Sequence, residues 1–184
     1  KQHLELSRDI AQKFNLDFDV PNFLKAPEPL IQKNFARIMS LKDGKKKMSK
    51  SDPSDQSRIN LTDSNDQIIK KIQRARTDSL PFPENNKSLE DRPEVENLIN
   101  IFASISEKPS ENIIKEYSGN DFKNFKQDLS DLLISKISKI SNEMKKLLSD
   151  HVYLNSILSE GAKEAKEISE KNIKEIKKII KFYI

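Results

Sequence analysis

Five consecutive residues, Lys47 to Ser51, combine two ammonium groups with two hydroxyl groups. Ammonium groups stabilise the negative charge that builds on phosphate oxygens when a phosphate bond breaks, and hydroxyl groups donate hydrogen bonds to the same oxygens. Gly44 and the pair Lys45-Lys46 precede this segment and predict a mobile approach, as in a lid that closes on a substrate. The segment therefore predicts a loop that binds a polyphosphate.

An ordinary solvated turn is the competing interpretation, and composition alone favours it, because most lysine clusters are exposed surface. Charge distribution adds a partial argument for the phosphate interpretation. Residues 1–80 hold 16 Lys and Arg against 11 Asp and Glu, whereas residues 81–184 hold 17 against 18. The positive excess surrounds the loop, which suits a partner that carries phosphates without requiring one.

The elements around the loop are predicted from hydrophobic spacing. Apolar residues recur at helical intervals over residues 2–14, and three prolines between residues 21 and 29 indicate extended chain and turns. The apolar run Phe35 to Leu41, bounded by a turn at Asp43-Gly44, predicts a buried strand that leads into the loop.

The remainder of the chain has a helical pattern. Asp63 or Ser64 is predicted to cap a helix that ends near Ala75, and Pro93 to open another. A long helix is predicted from Asp121, and a final pair over residues 152–158 and 162–182, separated at Gly161. The apolar stripes of residues 93–184 predict a helical bundle.

Several classes of protein are disfavoured by the composition. The chain has no cysteine and two histidines, which excludes disulfides and argues against a zinc site, so we predict no metal site. No apolar run approaches the roughly 20 residues of a membrane helix, and residues 1–5 lack the layout of a signal peptide. We therefore predict a cytoplasmic protein with no membrane partner.

Four segments together carry a resemblance to a known family. Lys47 to Ser51 read KMSKS, the second signature of class I aminoacyl-tRNA synthetases. With Gln2 to Ala11, Ala36 to Leu41 and Thr77 to Ser79, they resemble bacterial or organellar tryptophanyl-tRNA synthetases in order and spacing, over nearly the whole chain. The tyrosyl family shares the architecture but usually lacks the first two of these additional segments. Tryptophan is therefore ranked ahead of tyrosine.

The resemblance implies roles for particular residues. It implies Lys47 and Lys50 as the catalytic cations, and Ile38 as a residue that lies against adenine. The full set of implied ATP contacts is Ile38, Lys47, Met48, Ser49, Lys50 and Ser51. It also implies ATP with Mg²⁺ on its phosphates, tryptophan and tRNA(Trp) as substrates, and a homodimer in the intact enzyme.

Two groups of basic residues are candidates for tRNA contact. The first lies on the helix after the loop, whose exposed side is predicted to carry Lys70, Lys71 and Arg74. The second, Lys174 and Lys178, lies in the basic tail. Either group is expected to neutralise tRNA phosphates or to be solvated helix surface, and the residues alone leave both alternatives open.

The predicted fold is mostly α. The resemblance implies that residues 1–55 end a class I Rossmann (α/β) domain and that residues 56–184 form an α-helical anticodon-binding domain. The family's first signature, HxGH, and its tryptophan pocket are not among these 184 residues, so the isolated chain is predicted to be inactive. The alternatives to a tryptophan–tRNA ligase are a non-catalytic RNA-binding helical module and the tyrosine-specific sibling.

Overall fold

The computed structural model of the protein describes residues 2–30 and 37–182. Within them the chain is mostly α-helical, as predicted, and forms two compact units. One unit is Lys33–Ser149, and the other combines Lys1–Gln32 with Asp150–Ile184. The helices are α1 (Gln2–Asp17), α2 (Asn65–Gln73), α3 (Pro93–Ser106), α4 (Ser110–Tyr117), α5 (Phe122–Ser149) and α6 (His151–Ile179). Short 3-10 turns lie at Asp55–Ser57 and Asn86–Leu89.

The unit Lys33–Ser149 has a hydrophobic core formed by α2, α3, α4 and α5. Each helix contributes the apolar stripe that its spacing predicts, and fully burying one such side chain contributes about 1.5–3 kcal/mol. Phe82, from the loop before α3, packs against the ring of Phe125, with ring centroids 4.9 Å apart. The largest buried side chains are Phe82, Phe125, Leu41, Ile68, Ile72, Leu98, Ile99, Ile113, Ile114, Leu129 and Val95.

Helix α2 is held at both ends. At its start, the Ser64 Oγ accepts the Gln67 backbone N–H at 3.3 Å, and the Gln67 Oε1 accepts the Ser64 N–H at 2.8 Å. This capping box confirms Ser64 as the cap. Beyond its end, the Lys126 Nζ of α5 donates to the Ala75 carbonyl oxygen at 2.8 Å, where the helix dipole favours a cation. Burial lowers the pKa of Lys126.

The strand predicted for residues 35–41 is wrong for residues 37–41, the part of that segment that the structure describes. Phe35 and Ala36 lie outside the described residues. Residues 37–41 contain a single antiparallel bridge, between Met39 and Lys47. A strand needs a ladder of several consecutive residue pairs, and residues 37–41 form only this one. The segment is nevertheless anchored, because Leu41 is only 2% exposed.

The unit that contains α1 and α6 is described separately. The Asn15 side chain of α1 binds the Leu24 backbone through both its amide atoms, at 2.8 and 2.9 Å, and so holds the returning chain. Helix α6 runs through Gly161 without interruption, so the predicted break there is wrong. One glycine costs a helix about 1 kcal/mol relative to alanine, too little to end a 29-residue helix. The bundle predicted for residues 93–184 therefore contains α3, α4 and α5, while α6 belongs to the other unit.

In residues 2–30 and 37–182, none of the helices combines the length and the apolar character that crossing a membrane requires.

The backbone of Gly44 packs against the start of α3. A Cβ atom at this position would lie 2.4 Å from the Pro93 carbonyl carbon and 2.5 Å from the Glu94 nitrogen. Both atoms belong to the backbone of a helix and have little freedom to move. Close packing, and not the mobility expected from the sequence, accounts for the glycine here.

We expect the substitution Gly44→Ala to lower the free energy of unfolding by about 1–3 kcal/mol, because the added methyl group overpacks a rigid backbone. Gly161→Ala is the matched control, since a Cβ there meets nothing within 4 Å. The control should be neutral or stabilising by up to about 1 kcal/mol. Urea denaturation of both variants checks this, and equal stability of the two would contradict the close-packing explanation.

Candidate ATP-binding loop

The KMSKS loop begins from a narrow base. The Met48 backbone N–H donates to the Ile38 carbonyl oxygen at 3.0 Å, and the Ser40 N–H donates to the Lys46 carbonyl oxygen at 2.8 Å. These two bonds flank the bridge between Met39 and Lys47. The structure therefore brings Ile38 beside the KMSKS residues, although the two segments are about ten positions apart in the sequence.

The tip of the loop presents its polar groups to solvent. The hydroxyl oxygens of Ser49 and Ser51 are 2.8 Å apart and share a hydrogen bond, and both side chains are exposed. Lys47 and Lys50 are also exposed. Across residues 2–30 and 37–182, no carboxylate forms an ion pair with either lysine. The two ammonium groups are available to an anion from outside the loop.

The exit of the loop is fixed by Arg58. Its guanidinium donates to the Asp52 carbonyl oxygen at 2.9 Å, and the Asp52 carboxylate accepts the Ser54 N–H at 2.8 Å. The Leu41 N–H donates to the Ser57 carbonyl oxygen at 2.9 Å, so the chain before the loop and the chain after it are joined directly. The tip is thus a short excursion between two fixed ends.

Lys71 fixes the same exit of the loop through two ion pairs. Its Nζ lies 2.7 Å from Asp63 and 2.7 Å from Asp55, and its side chain is 6% exposed. The hydrogen bond from Lys71, assisted by Asn60, holds the pKa of Asp55 below its usual range. The prediction that Lys71 lies on the exposed side of its helix is wrong. The buried carboxylate of Asp63 requires a cation, and Lys71 of α2 supplies it.

Asn97 of α3 holds the entrance of the loop. Its Oδ1 accepts the Met39 backbone N–H at 2.9 Å, and its Nδ2 donates to the Met39 carbonyl oxygen at 2.9 Å. Asn97 is 4% exposed, and sequence reasoning missed it. The only available signal was that Asn97 lies one turn before the buried residue Ile101, and this signal is weak because Glu94 and Asn100 flank Asn97 on the same face of α3.

Asp78, in the Thr77-Asp78-Ser79 segment, pairs with Arg92 through two hydrogen bonds of 2.7 and 2.8 Å. These bonds hold the pKa of Asp78 below its usual range. The ion pair therefore stabilises the fold above the ordinary aspartate range and loses that contribution as the pH falls through the lowered pKa. Asp78 also accepts the Leu80 N–H at 2.9 Å, a side-chain bond to the backbone two residues on that is typical of a turn.

The remaining basic candidates divide between the two units. Lys70 and Arg74 are exposed and lie four residues apart, at the end of α2. Lys174 and Lys178 are also four residues apart, on α6. Within each pair the spacing places both cations on one side of the helix. Their contact with RNA stays a prediction.

Comparison with known families agrees with this geometry. The family model described as tRNA synthetases class I (W and Y) matches residues 1–135. The chain belongs to this family of class I synthetases.

Individual relatives indicate the tryptophan branch. The tryptophan–tRNA ligase of Caulobacter vibrioides is 48% identical over 183 residues, which cover 100% of this chain and 53% of the relative. That of Rickettsia felis is 49% identical over 166 residues, covering 90% and 49%. The resemblance to tryptophanyl-tRNA synthetases is thereby confirmed. The chain spans about half the length of the curated relatives it matches.

Solved structures share the fold. The tryptophanyl-tRNA synthetase of Mycoplasma pneumoniae superposes with a TM-score of 0.79 at 24% identity, covering 99% of this chain and 54% of that one. A tryptophanyl-tRNA synthetase from Campylobacter jejuni, solved with ADP and tryptophan, gives a TM-score of 0.68 at 24% identity, covering 98% and 54%.

We expect Lys71→Ala to lower the free energy of unfolding by about 3–5 kcal/mol, because it leaves the Asp63 carboxylate buried without its cation. The adjacent Lys70→Ala is the matched control, since Lys70 is exposed, and should change stability by less than about 0.5 kcal/mol. Urea denaturation at pH 7 measures both. A similar small effect in the two variants would refute a structural role for Lys71.

Proposed function

We propose that this chain is the carboxyl-terminal part of a tryptophan–tRNA ligase, which activates tryptophan with ATP and transfers it to tRNA(Trp). The observation that carries the proposal is the KMSKS loop, with two exposed ammonium groups that have no carboxylate partner in the described chain and a base fixed on both sides. The tryptophan–tRNA ligases that match nearly the whole chain at 43–48% identity support the choice of substrate.

Activation is an attack of the tryptophan carboxylate on the α-phosphorus of ATP, which releases pyrophosphate and forms tryptophanyl-adenylate. Negative charge grows on the bridging oxygen and on the departing phosphates. Lys47 and Lys50 would neutralise this charge, and Ser49 and Ser51 would donate hydrogen bonds to the same oxygens. Cations placed for the departing group accelerate the step because their attraction is strongest in the transition state.

The purine and the metal ion have separate places in this proposal. Ile38, half-buried beside Met48, would pack against adenine. The donors of the loop are ammonium and hydroxyl groups, which suit phosphate oxygens and not a cation. Mg²⁺ would therefore be held by the ATP phosphates, its usual ligands in such sites, and would neutralise part of their charge.

The domain assignment extends the same proposal. Residues 1–55 would complete a Rossmann domain that carries the HxGH signature and the tryptophan pocket, and residues 56–184 would form the anticodon-binding region. Family membership supports this division, together with a homodimer and a cytoplasmic location. In the described unit Lys33–Ser149, the loop and helices α2 to α5 share one core. A movement of these helices would therefore move the loop as well.

Tryptophan-dependent exchange of labelled pyrophosphate into ATP tests the activity in the intact protein. Lys47→Ala and Lys50→Ala should each lower the rate by about 10²–10³, as removal of an interaction made in the transition state does. Lys45→Ala, an exposed lysine just before the signature, is the matched control and should stay within about threefold of the wild type.

Three results would contradict the proposal or redirect it. Exchange with tyrosine and not tryptophan would establish the sibling specificity. Absence of exchange with either amino acid would favour a non-catalytic RNA-binding module. Full activity after replacement of both Lys47 and Lys50 would remove the loop from the mechanism. The isolated 184-residue chain is expected to show no exchange, because the family's HxGH signature and tryptophan pocket are not within it.

Binding of tRNA is tested by charge reversal. Lys174→Glu with Lys178→Glu should weaken binding of tRNA(Trp) and reduce the slope of log K against log salt by about 0.7–0.9 for each phosphate that is no longer neutralised. The same double reversal at Lys70 and Arg74 tests the other pair. The matched control is Lys136→Glu with Lys139→Glu, two exposed lysines on α5. A salt slope that falls equally in all three variants would indicate net charge alone, with no defined contact.

A further inference from the structure

Asn97 makes an unusual pair of hydrogen bonds for a helix side chain. Both atoms of its amide bind the backbone of a single distant residue, Met39, at 2.9 Å each. An asparagine amide has a donor and an acceptor side by side, as a peptide group does, so it can stand in for a neighbouring strand. Asn97 thus supplies the backbone pairing that the segment before the loop lacks.

Met39 is also the residue that pairs with the first lysine of the signature. It forms the bridge to Lys47, and the bonds from Met48 to Ile38 and from Ser40 to Lys46 lie on either side. Both backbone groups of Met39 bond the Asn97 side chain, and its covalent neighbours Ile38 and Ser40 make the hydrogen bonds to the base of the loop. Any displacement of Met39 would displace the Lys47 backbone with it.

Removing the Asn97 side-chain amide would leave two backbone groups of Met39 without their partner. The Met39 N–H and carbonyl would each be left without this partner in a part-buried position, which disfavours the present conformation unless the segment moves to reach water. Movement is the easier response for a segment that is not held in a sheet. A shift of about 1 Å in a catalytic group is enough to lower a rate about 10²-fold.

We propose that Asn97 is a positioning residue, which acts on catalysis through Lys47 by setting the place of Met39. The proposal rests on the proposed function, since it assigns Asn97 to the ATP step of that activity. It is distinct from a purely structural role, in which Asn97 would stabilise the unit without affecting where the Lys47 ammonium lies.

A double-mutant cycle in the intact protein separates these roles. Pyrophosphate exchange is measured for the wild type, Asn97→Ala, Lys47→Ala and the double variant, with rates normalised to active sites by titration. Asn97→Ala should lower kcat/KM for ATP by about tenfold or more and leave the KM for tryptophan unchanged. In the Lys47→Ala background the same change should cost less than about threefold, because the group it positions is already absent.

A matched control and a second substitution support the cycle. Asn100→Ala changes a partly exposed asparagine on the same helix and should leave the kinetics unchanged. If Asn97→Ala does not fold, the cycle is run with Asn97→Asp, which keeps the acceptor for the Met39 N–H and removes the donor to its carbonyl. Equal decreases in both Lys47 backgrounds, or no decrease from either substitution at Asn97, would overturn the proposal.

Amide hydrogen exchange provides a readout that does not depend on activity. Asn97→Ala should accelerate exchange at the Met48 and Ser40 amides, which close the base of the loop, and leave the Gln67 amide at the α2 cap unchanged. A wild type without pyrophosphate exchange would refute the proposed function alone. Unchanged protection at Met48 and Ser40 would refute the positioning role whether or not the protein is active.

Discussion

Satisfaction of backbone hydrogen bonds over residues 38–41 is the constraint on which the loop depends. A buried N–H or carbonyl must have a partner, and this segment has no strand beside it among the described residues. Its partners come from three directions. The loop itself supplies the Lys46 carbonyl and the Met48 N–H, the chain after the loop supplies the Ser57 carbonyl and the Arg76 N–H, and α3 supplies Asn97. Each bond is ordinary, but together they leave the segment one conformation.

Lysines in this unit occupy two different environments, one buried in ion pairs and one exposed on the loop. Lys71 is buried between two carboxylates, so its charge is neutralised and contributes to the fold. Lys47 and Lys50 lie exposed on the loop with no carboxylate paired to them in the described chain, so their charge is directed outward. A phosphate ligand gains most from cations that do not first have to leave a carboxylate. The two groups of lysines therefore differ in whether their charge is already neutralised within the described chain, and of these only Lys47 and Lys50 are available to an external anion.

Local patterns predicted what depends on local physics. The capping box at Ser64, the first helical turn at Pro93 and the buried stripe of α3 all follow from spacing within a few residues, and the KMSKS order identified the family. The errors at Lys71 and Asn97 arose where distant groups decide, whereas the error at Gly161 concerned the balance of local helix propensities. Lys71 was predicted to lie on the exposed side of its helix, but it is buried and forms ion pairs with Asp63 and Asp55. Gly161 was expected to end a helix, and the strong helix formers around it continue the helix. Asn97 was missed because its partner lies 58 residues away.

If the loop binds ATP as proposed, the same set of bonds limits how it would close on that ligand. Opening the base would break four hydrogen bonds, those made by the N–H groups of Met39, Ser40, Leu41 and Met48, and each contributes about 1 kcal/mol net. The tip from Ser49 to Ser51 has no comparable attachment: its bonds are the Ser49–Ser51 hydroxyl contact and short-range turn bonds. Under the proposed function, closure would therefore come from the tip alone or from movement of the whole unit that contains α2 to α5. In the second case Asn97 and Gly44 would transmit the movement of α3 to Lys47, because both lie where the helix contacts the loop base directly.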